Sequence, residues 1–187
     1  MRNHSSAIAA NDAEPSAAGW ASPPRIEQIR ATVGAIVGLL ITGFVSKFAL
    51  GSMSDLPLLI APMGASAVLL FALPGSPLAR PWSIIGGNSL SAFVGVACAT
   101  WIPDPIVASA LACGIAIGLM MVLGCLHPPG GAVALTAVLG GPSIQATGFG
   151  FALWPVGINS FLLLAAALAF SWLLQTNIPR PVQSSQA

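Results

Sequence analysis

Charged residues are scarce in this chain of 187 residues: six are Lys or Arg and five are Asp or Glu, together 6% of the sequence. A soluble globular domain carries roughly 25% charged residues, so this composition excludes an ordinary soluble fold. The formal net charge is +1 and no run of like charges occurs, which excludes a basic surface for nucleic acid.

Metal-binding and catalytic patterns are also missing. The three cysteines, Cys98, Cys113 and Cys125, lie in apolar stretches without CxxC or Cys/His spacing, which is typical of small buried hydrophobic residues. There is no HExxH motif, no pair of carboxylates in an apolar stretch and no Ser-His-Asp candidate, since Asp55 and Asp104 both lie between such stretches. We therefore predict no cofactor, no metal ion and no enzymatic activity.

Apolar residues make up 56% of the chain, with a mean hydropathy of +0.88. Four stretches match the thickness of a bilayer, and two further ones are broken or too short. We predict an all-α, polytopic membrane helix bundle over residues 25–176, between a disordered tail (1–24) and a polar tail (177–187). The long stretches are 31–51, 83–101, 106–126 and 154–174, and the short ones are 56–73 and 131–140.

An internal repeat is visible in the order of these stretches. Residues 61–69 align without gaps on 127–135, and the stretch from Trp82 to Ser89 matches the stretch from Trp154 to Ser160 with one gap. We predict two repeats, each of two long helices and one short broken helix, and the second long helix of each carries an Asn-Ser pair. Chance similarity in a sequence rich in Ala, Gly and Leu is the alternative.

The few charges bear on topology. If each half crosses the membrane three times, the repeats are inverted and the charges separate by sign. The positive-inside rule then places both termini in the cytoplasm, and we expect a bacterial inner membrane. If the short elements are re-entrant, four helices span and Arg80 lies outside. In the first arrangement Arg25, Arg30, Arg80 and Arg180 share one side, and Asp55 and Asp104 share the other.

The run His127-Pro128-Pro129-Gly130-Gly131 is the main candidate for a functional element. Two prolines start a helix more readily than they continue one, and glycines admit a close approach. A helix start with unpaired N–H groups attracts anions, as it does in transporters with broken helices. The first repeat offers a second such start. The predicted substrate-binding residues are His127, Pro128, Gly130, Gly131, Pro62, Gly64, Ser66, Asn88, Asn159 and Lys47.

Several of these residues have a structural alternative. Asn88, Ser89, Asn159 and Ser160 could instead make polar contacts between helices. Lys47 is the only ionisable residue inside a long stretch, but near its end it could reach the membrane surface. An unperturbed His127 would have a pKa near ~6.5, suited to proton coupling, or it could only cap a helix.

The sequence resembles the HPP family of integral membrane proteins over roughly residues 30–175. The resemblance is carried by residues 61–67, by Gly86-Gly87-Asn88 and above all by residues 126–132, which contain the HPPGG run. It implies a multi-span membrane protein, usually described with four transmembrane helices. In cyanobacterial and chloroplast relatives it implies nitrite transport.

We therefore expect a transporter of a small inorganic anion, nitrite-like by the resemblance. Its partners would be the lipid bilayer and the anion, with protons as a candidate coupling ion and a homo-oligomer left open. A passive channel is one alternative, because the glycine-rich segments 38–51 and 140–150 could line a pore. A membrane protein with no transport role is another.

Overall fold

The computed structural model describes residues 22–50 and 60–174, and within these ranges the chain is helical with no strand. The predicted tails, except residues 22–24, and the loop containing Asp55 lie outside the described residues. The helices are α1 (Arg25–Leu50), α2 (Pro62–Ala67), α3 (Pro81–Trp101), α4 (Pro105–Val122), α5 (Pro128–Leu139), α6 (Pro142–Thr147) and α7 (Ile158–Leu173). A π-helical turn, Val68–Ala72, extends α2, and another, Ala152–Gly157, leads into α7.

Four of the described helical segments are long and apolar enough to cross a membrane: Arg25–Lys47, Pro81–Trp101, Pro105–Val122 and Ala152–Leu173. Two shorter apolar segments, Pro62–Ala72 and Pro128–Leu139, complete the set. At 1.5 Å per residue the short segments measure roughly 17 to 18 Å, against ~30 Å of hydrocarbon. The predicted all-α membrane bundle is confirmed.

Proline begins five of the helices, α2 to α6. The first residue of a helix has no partner for its N–H within the helix, and proline lacks that group while its fixed φ suits the first turn. Asp104 adds a cap to α4, because its Oδ1 accepts from the N–H groups of Ile106 and Val107, each at 2.9 Å. The prediction that the HPP run starts a helix is confirmed, with His127 as the N-cap of α5.

Two predicted boundaries were wrong. The first helix begins at Arg25, not at residue 31, so the charged lead-in forms its first turns. The fourth helix ends at Val122, not at residue 126. The cause is Gly124, whose φ of 63° takes the chain out of the right-handed region, while Cys125 N–H bonds back to the carbonyl of Met120 at 2.9 Å.

The long and short segments alternate in direction. At the start of α1, Gly34 contacts Phe170 near the end of α7, whereas Ser46 near the end of α1 bonds to Asn159 near the start of α7. These two helices are therefore antiparallel. Phe71, at the end of the segment that α2 begins, also packs on Gly34, so this segment runs back along α1.

The second half continues the alternation. The indole of Trp82 donates to the carbonyl of Leu123 at 3.1 Å, which puts the start of α3 beside the end of α4. Gly87 packs on His127 and Gly95 on Ala134, so α5 runs parallel to α3. The bundle thus has an Arg80 end, where α1, α3 and α5 begin, and an Asp104 end, where α4 begins.

Candidate functional site

Six of the polar side chains in the interior of this apolar bundle are connected by hydrogen bonds or by adjacency in sequence, and each has 0% of its surface exposed. We call this group the polar core. It joins α1, α2, α3, α7 and the start of α5, which are far apart in the sequence. Its members are Ser46, Ser66, Asn88, His127, Asn159 and Ser160.

His127 is held at both ring nitrogens. Its Nδ1 lies 2.9 Å from the carbonyl oxygen of Leu78, and its Nε2 lies 2.9 Å from the hydroxyl of Ser66. A carbonyl oxygen only accepts hydrogen bonds, so Nδ1 carries a proton. In the neutral ring Nε2 is then the acceptor, and Ser66 donates its hydroxyl hydrogen to it.

Asn88 sits at the centre of the polar core, seven residues after the start of α3. Its Nδ2 donates to Ser160 Oγ at 3.0 Å and, at the longer distance of 3.5 Å, to Ser66 Oγ. Its Oδ1 is buried and has no hydrogen-bond partner among the described protein atoms. A buried amide oxygen without a donor is unfavourable by about 1–3 kcal/mol, so this atom needs an explanation.

The other asparagine of the repeat is satisfied. Asn159 Oδ1 accepts a hydrogen bond from Ser46 Oγ at 2.6 Å, across 113 residues of sequence. The two Asn-Ser pairs are thus brought together, since Asn88 bonds to Ser160, but their environments differ. One carboxamide oxygen has a hydroxyl donor from α1, and the other has none.

The two helix starts do not offer free N–H groups at the positions that we expected. Gly130 N–H donates to the carbonyl of His127 at 2.8 Å, and Gly64 N–H donates to the carbonyl of Ala61 at 3.0 Å. The prediction of unpaired donors at these glycines was wrong. The chain tightens into a short i→i+3 turn at each start, and this turn uses the donors.

The remaining predicted residues are distributed as follows. Pro62, Gly130 and Gly131 are buried, and a side chain at Gly130 would come within 2.7 Å of Ser91 Oγ and 3.1 Å of the carbonyl of Gly87. The role of Gly130 in this structure is therefore close helix packing. Gly64, Pro128 and Lys47 are exposed, and the structure does not bring them to the polar core.

Sequence reasoning missed Ser46 and the Leu78 carbonyl. A signal for Ser46 was present: Gly34, Gly38, Thr42 and Ser46 recur every four residues and mark one buried face of α1. Small and hydroxyl-bearing residues at this spacing are typical of interfaces between membrane helices. A backbone carbonyl carries no such signal.

The polar core contains no fixed charge. Among the described residues no Lys, Arg, Asp or Glu side chain is buried, and no group of three or more His, Cys, Asp or Glu could hold a metal ion. Whatever binds here meets hydroxyls, one carboxamide oxygen and one imidazole. Such a site recognises its ligand by hydrogen bonds and not by ion pairing.

Comparison with known proteins gives a consistent result. The family model described as "HPP, transmembrane region" matches residues 21–179. A transmembrane protein of Dictyostelium discoideum is 37% identical over 151 residues, which cover 78% of this chain and 52% of that protein. Another from the same organism is 40% identical over 114 residues, or 59% of this chain and 36% of that protein. The chain thus spans about half or less of these relatives, and no solved structure matches it.

Proposed function

Since this chain belongs to the HPP transmembrane family, we propose that it transports a small inorganic anion, nitrite-like, across a bilayer, with the polar core as its solute site. The matched relatives are described only as transmembrane proteins, so the substrate class comes from the residues of the site and from the resemblance of the motifs. The proposal includes no enzymatic step.

The observation that carries this proposal is the polar core itself. Polar groups inside a membrane are costly, and they are retained where a solute or an ion passes. Hydroxyl pairs that only hold helices together would be satisfied within the protein. Asn88 Oδ1 is not satisfied, although the Asn88 amide nitrogen bonds to both Ser66 and Ser160.

The position of the core also supports transport. Asn88 lies about 10 Å along the axis of α3, at 1.5 Å per residue, and Ser66 and His127 lie near the starts of the two short segments. Transporters with short or broken helices place their substrate where these helices meet. We further propose that His127, the one described histidine, is the group that exchanges protons during transport.

Positive-inside orientation would place the Arg80 end in the cytoplasm. Because α1 also begins at that end, the amino-terminal side of the chain would lie in the cytoplasm. The membrane we propose is the cytoplasmic membrane.

The test is uptake into proteoliposomes. Purified protein is reconstituted, and nitrite uptake is followed with and without a pH gradient beside protein-free vesicles. We expect uptake that saturates with nitrite concentration and responds to the gradient. Uptake that rises linearly without saturation would instead indicate a passive channel, and uptake equal to that of protein-free vesicles would contradict transport.

Two variants tie the activity to the site. Ser66→Ala removes the hydroxyl between His127 and Asn88, and we expect the uptake rate to fall at least about tenfold if this bond shapes the site, a change worth ~1.4 kcal/mol. Thr100→Val is the matched control. Its hydroxyl bonds only to the Val96 carbonyl within α3, at 2.8 Å, so its removal should leave uptake unchanged.

A further inference from the structure

The hydrogen bonds of the polar core have a fixed direction, and the Leu78 carbonyl sets it. Because Nδ1 of His127 donates to Leu78, Nε2 of the neutral ring accepts from Ser66. The single hydroxyl hydrogen of Ser66 is used in this bond, so Ser66 can only accept from Asn88. Asn88 must therefore turn its amide nitrogen, and not its oxygen, towards Ser66.

This direction determines what remains for a ligand. Both hydrogens of the Asn88 amide are used, one on Ser66 and one on Ser160, and Oδ1 is left as a buried acceptor. Ser160 accepts from Asn88 through its oxygen, and its own hydrogen can rotate towards a further acceptor. The site thus presents one acceptor and one donor on neighbouring groups.

A bare anion fits this arrangement poorly. It has no hydrogen to give to Asn88 Oδ1, and an unpaired acceptor beside an anion is repulsive. No buried cation compensates: of the described cationic side chains, Arg25, Lys47 and Arg80 are exposed and Arg30 is only half-buried. The titratable side chains on or next to α3 and α5 are the His127 imidazole and the thiols of Cys98, Cys113 and Cys125, and none of them is a fixed cation.

We propose that the species bound in the polar core is the neutral, protonated form of a small weak oxyacid. Its O–H donates to Asn88 Oδ1, and its second oxygen accepts from Ser160. This inference rests on the proposed transport function and specifies the form of the substrate. One proton then accompanies each anion: the acid forms on one side, crosses without net charge and dissociates on the other, releasing its proton there.

The test uses proteoliposomes containing the wild-type protein and a pH-sensitive dye in the lumen, with the membrane potential clamped by a potassium gradient and valinomycin. The probes are nitrite and formate, the anions of weak acids, and nitrate, the anion of a strong acid with the same planar shape as the others. Rates are corrected for protein-free vesicles, because neutral acids also cross lipid.

We expect nitrite and formate uptake to acidify the lumen and to be independent of the clamped potential. At subsaturating concentration the uptake rate should rise about tenfold for each unit by which the external pH falls, because the fraction of protonated acid rises by that factor. Nitrate uptake should not exceed that of protein-free vesicles. Asn88→Leu, which removes the acceptor, should abolish the protein-dependent part, and Thr100→Val should not.

The outcomes separate the two proposals. Uptake of nitrate, or nitrite uptake that an inside-positive potential accelerates, would overturn the neutral-acid inference and leave anion transport standing. No protein-dependent uptake of any probe would overturn both. If the Asn88→Leu protein folds and still transports nitrite at the wild-type rate, Asn88 Oδ1 does not bind the substrate and the neutral-acid inference is wrong.

Discussion

At the scale of the residue, five of the six polar side chains in the core were identified from the sequence, but the hydrogen bonds between them were not. His127, Ser66, Asn88 and Asn159 stand out in the sequence because polar residues are rare in apolar stretches. The bonded pairs are far apart in the sequence: 61 residues separate His127 from Ser66, and 113 residues separate Asn159 from Ser46. Such pairings depend on how the helices pack, which no local pattern in the sequence encodes.

The tautomer of His127 gives a direct prediction at this scale. We expect a neutral ring protonated at Nδ1, because the Leu78 carbonyl at 2.9 Å requires a donor there. Nitrogen-15 NMR of protein labelled in histidine measures this, in a His4→Ala background so that one histidine remains. A signal from the Nε2-protonated form near neutral pH would contradict the proposed direction of the bonds.

The loss of stability caused by substitutions of His127 should increase with the number of hydrogen bonds that are lost. His127→Gln keeps an amide that can still reach one of the two partners, whereas His127→Phe leaves both Ser66 and the Leu78 carbonyl unpaired. We expect the Phe variant to be the less stable by about 1–3 kcal/mol, the cost of an unsatisfied buried group. Thermal unfolding in detergent measures the difference. Equal melting temperatures for the two variants would show that these bonds do not stabilise the fold.

At the scale of the element, the glycines of the HPPGG run have a different use from the one expected. From the sequence we expected these glycines to admit an anion. In the structure Gly130 lets α5 lie against α3: a side chain at Gly130 would come within 2.7 Å of Ser91 Oγ and 3.1 Å of the Gly87 carbonyl. A sequence shows that a backbone can be approached closely, but not whether by a ligand or by a helix.

Two glycine substitutions separate packing from helix propensity. Gly95→Ala places a methyl group 2.6 Å from the Ala134 carbonyl and 2.7 Å from the Ala137 side chain, so α3 and α5 must move apart. We expect a loss of stability of about 1–3 kcal/mol. Gly114→Ala in α4 meets no atom within 4 Å and should be neutral or stabilising by up to ~1 kcal/mol.

Thermal unfolding of both proteins, with uptake measured in parallel, makes this comparison. An equal stability change in the two variants would mean that the close contact between α3 and α5 does not contribute to the fold.

At the scale of the whole molecule, the composition and length of the apolar stretches were sufficient to predict the four long helices and the two short segments. They were not sufficient to predict the π-helical turns at Val68–Ala72 and Ala152–Gly157 or helix α6, because these elements occur in stretches that are apolar or glycine-rich throughout. The repeat remains a prediction.

Cysteine labelling tests the orientation. In a background with Cys98, Cys113 and Cys125 replaced by alanine, single cysteines are placed at Arg80 and at Asp104, both exposed. We expect an impermeant thiol reagent to label intact cells at position 104 only, because the two positions lie at opposite ends of the bundle. Labelling from outside at position 80 and not at position 104 would contradict the proposed orientation.

The contact between α3 and α5 also limits how this protein can move. Where Gly87 and Gly95 face the neighbouring segment of the chain, not even a methyl group fits between the two helices. The distance between these helices can therefore only increase, by sliding or by separation. Any motion that admits a solute to Asn88 along this seam is an opening from the tightest state, and the described structure is the closed limit of that motion.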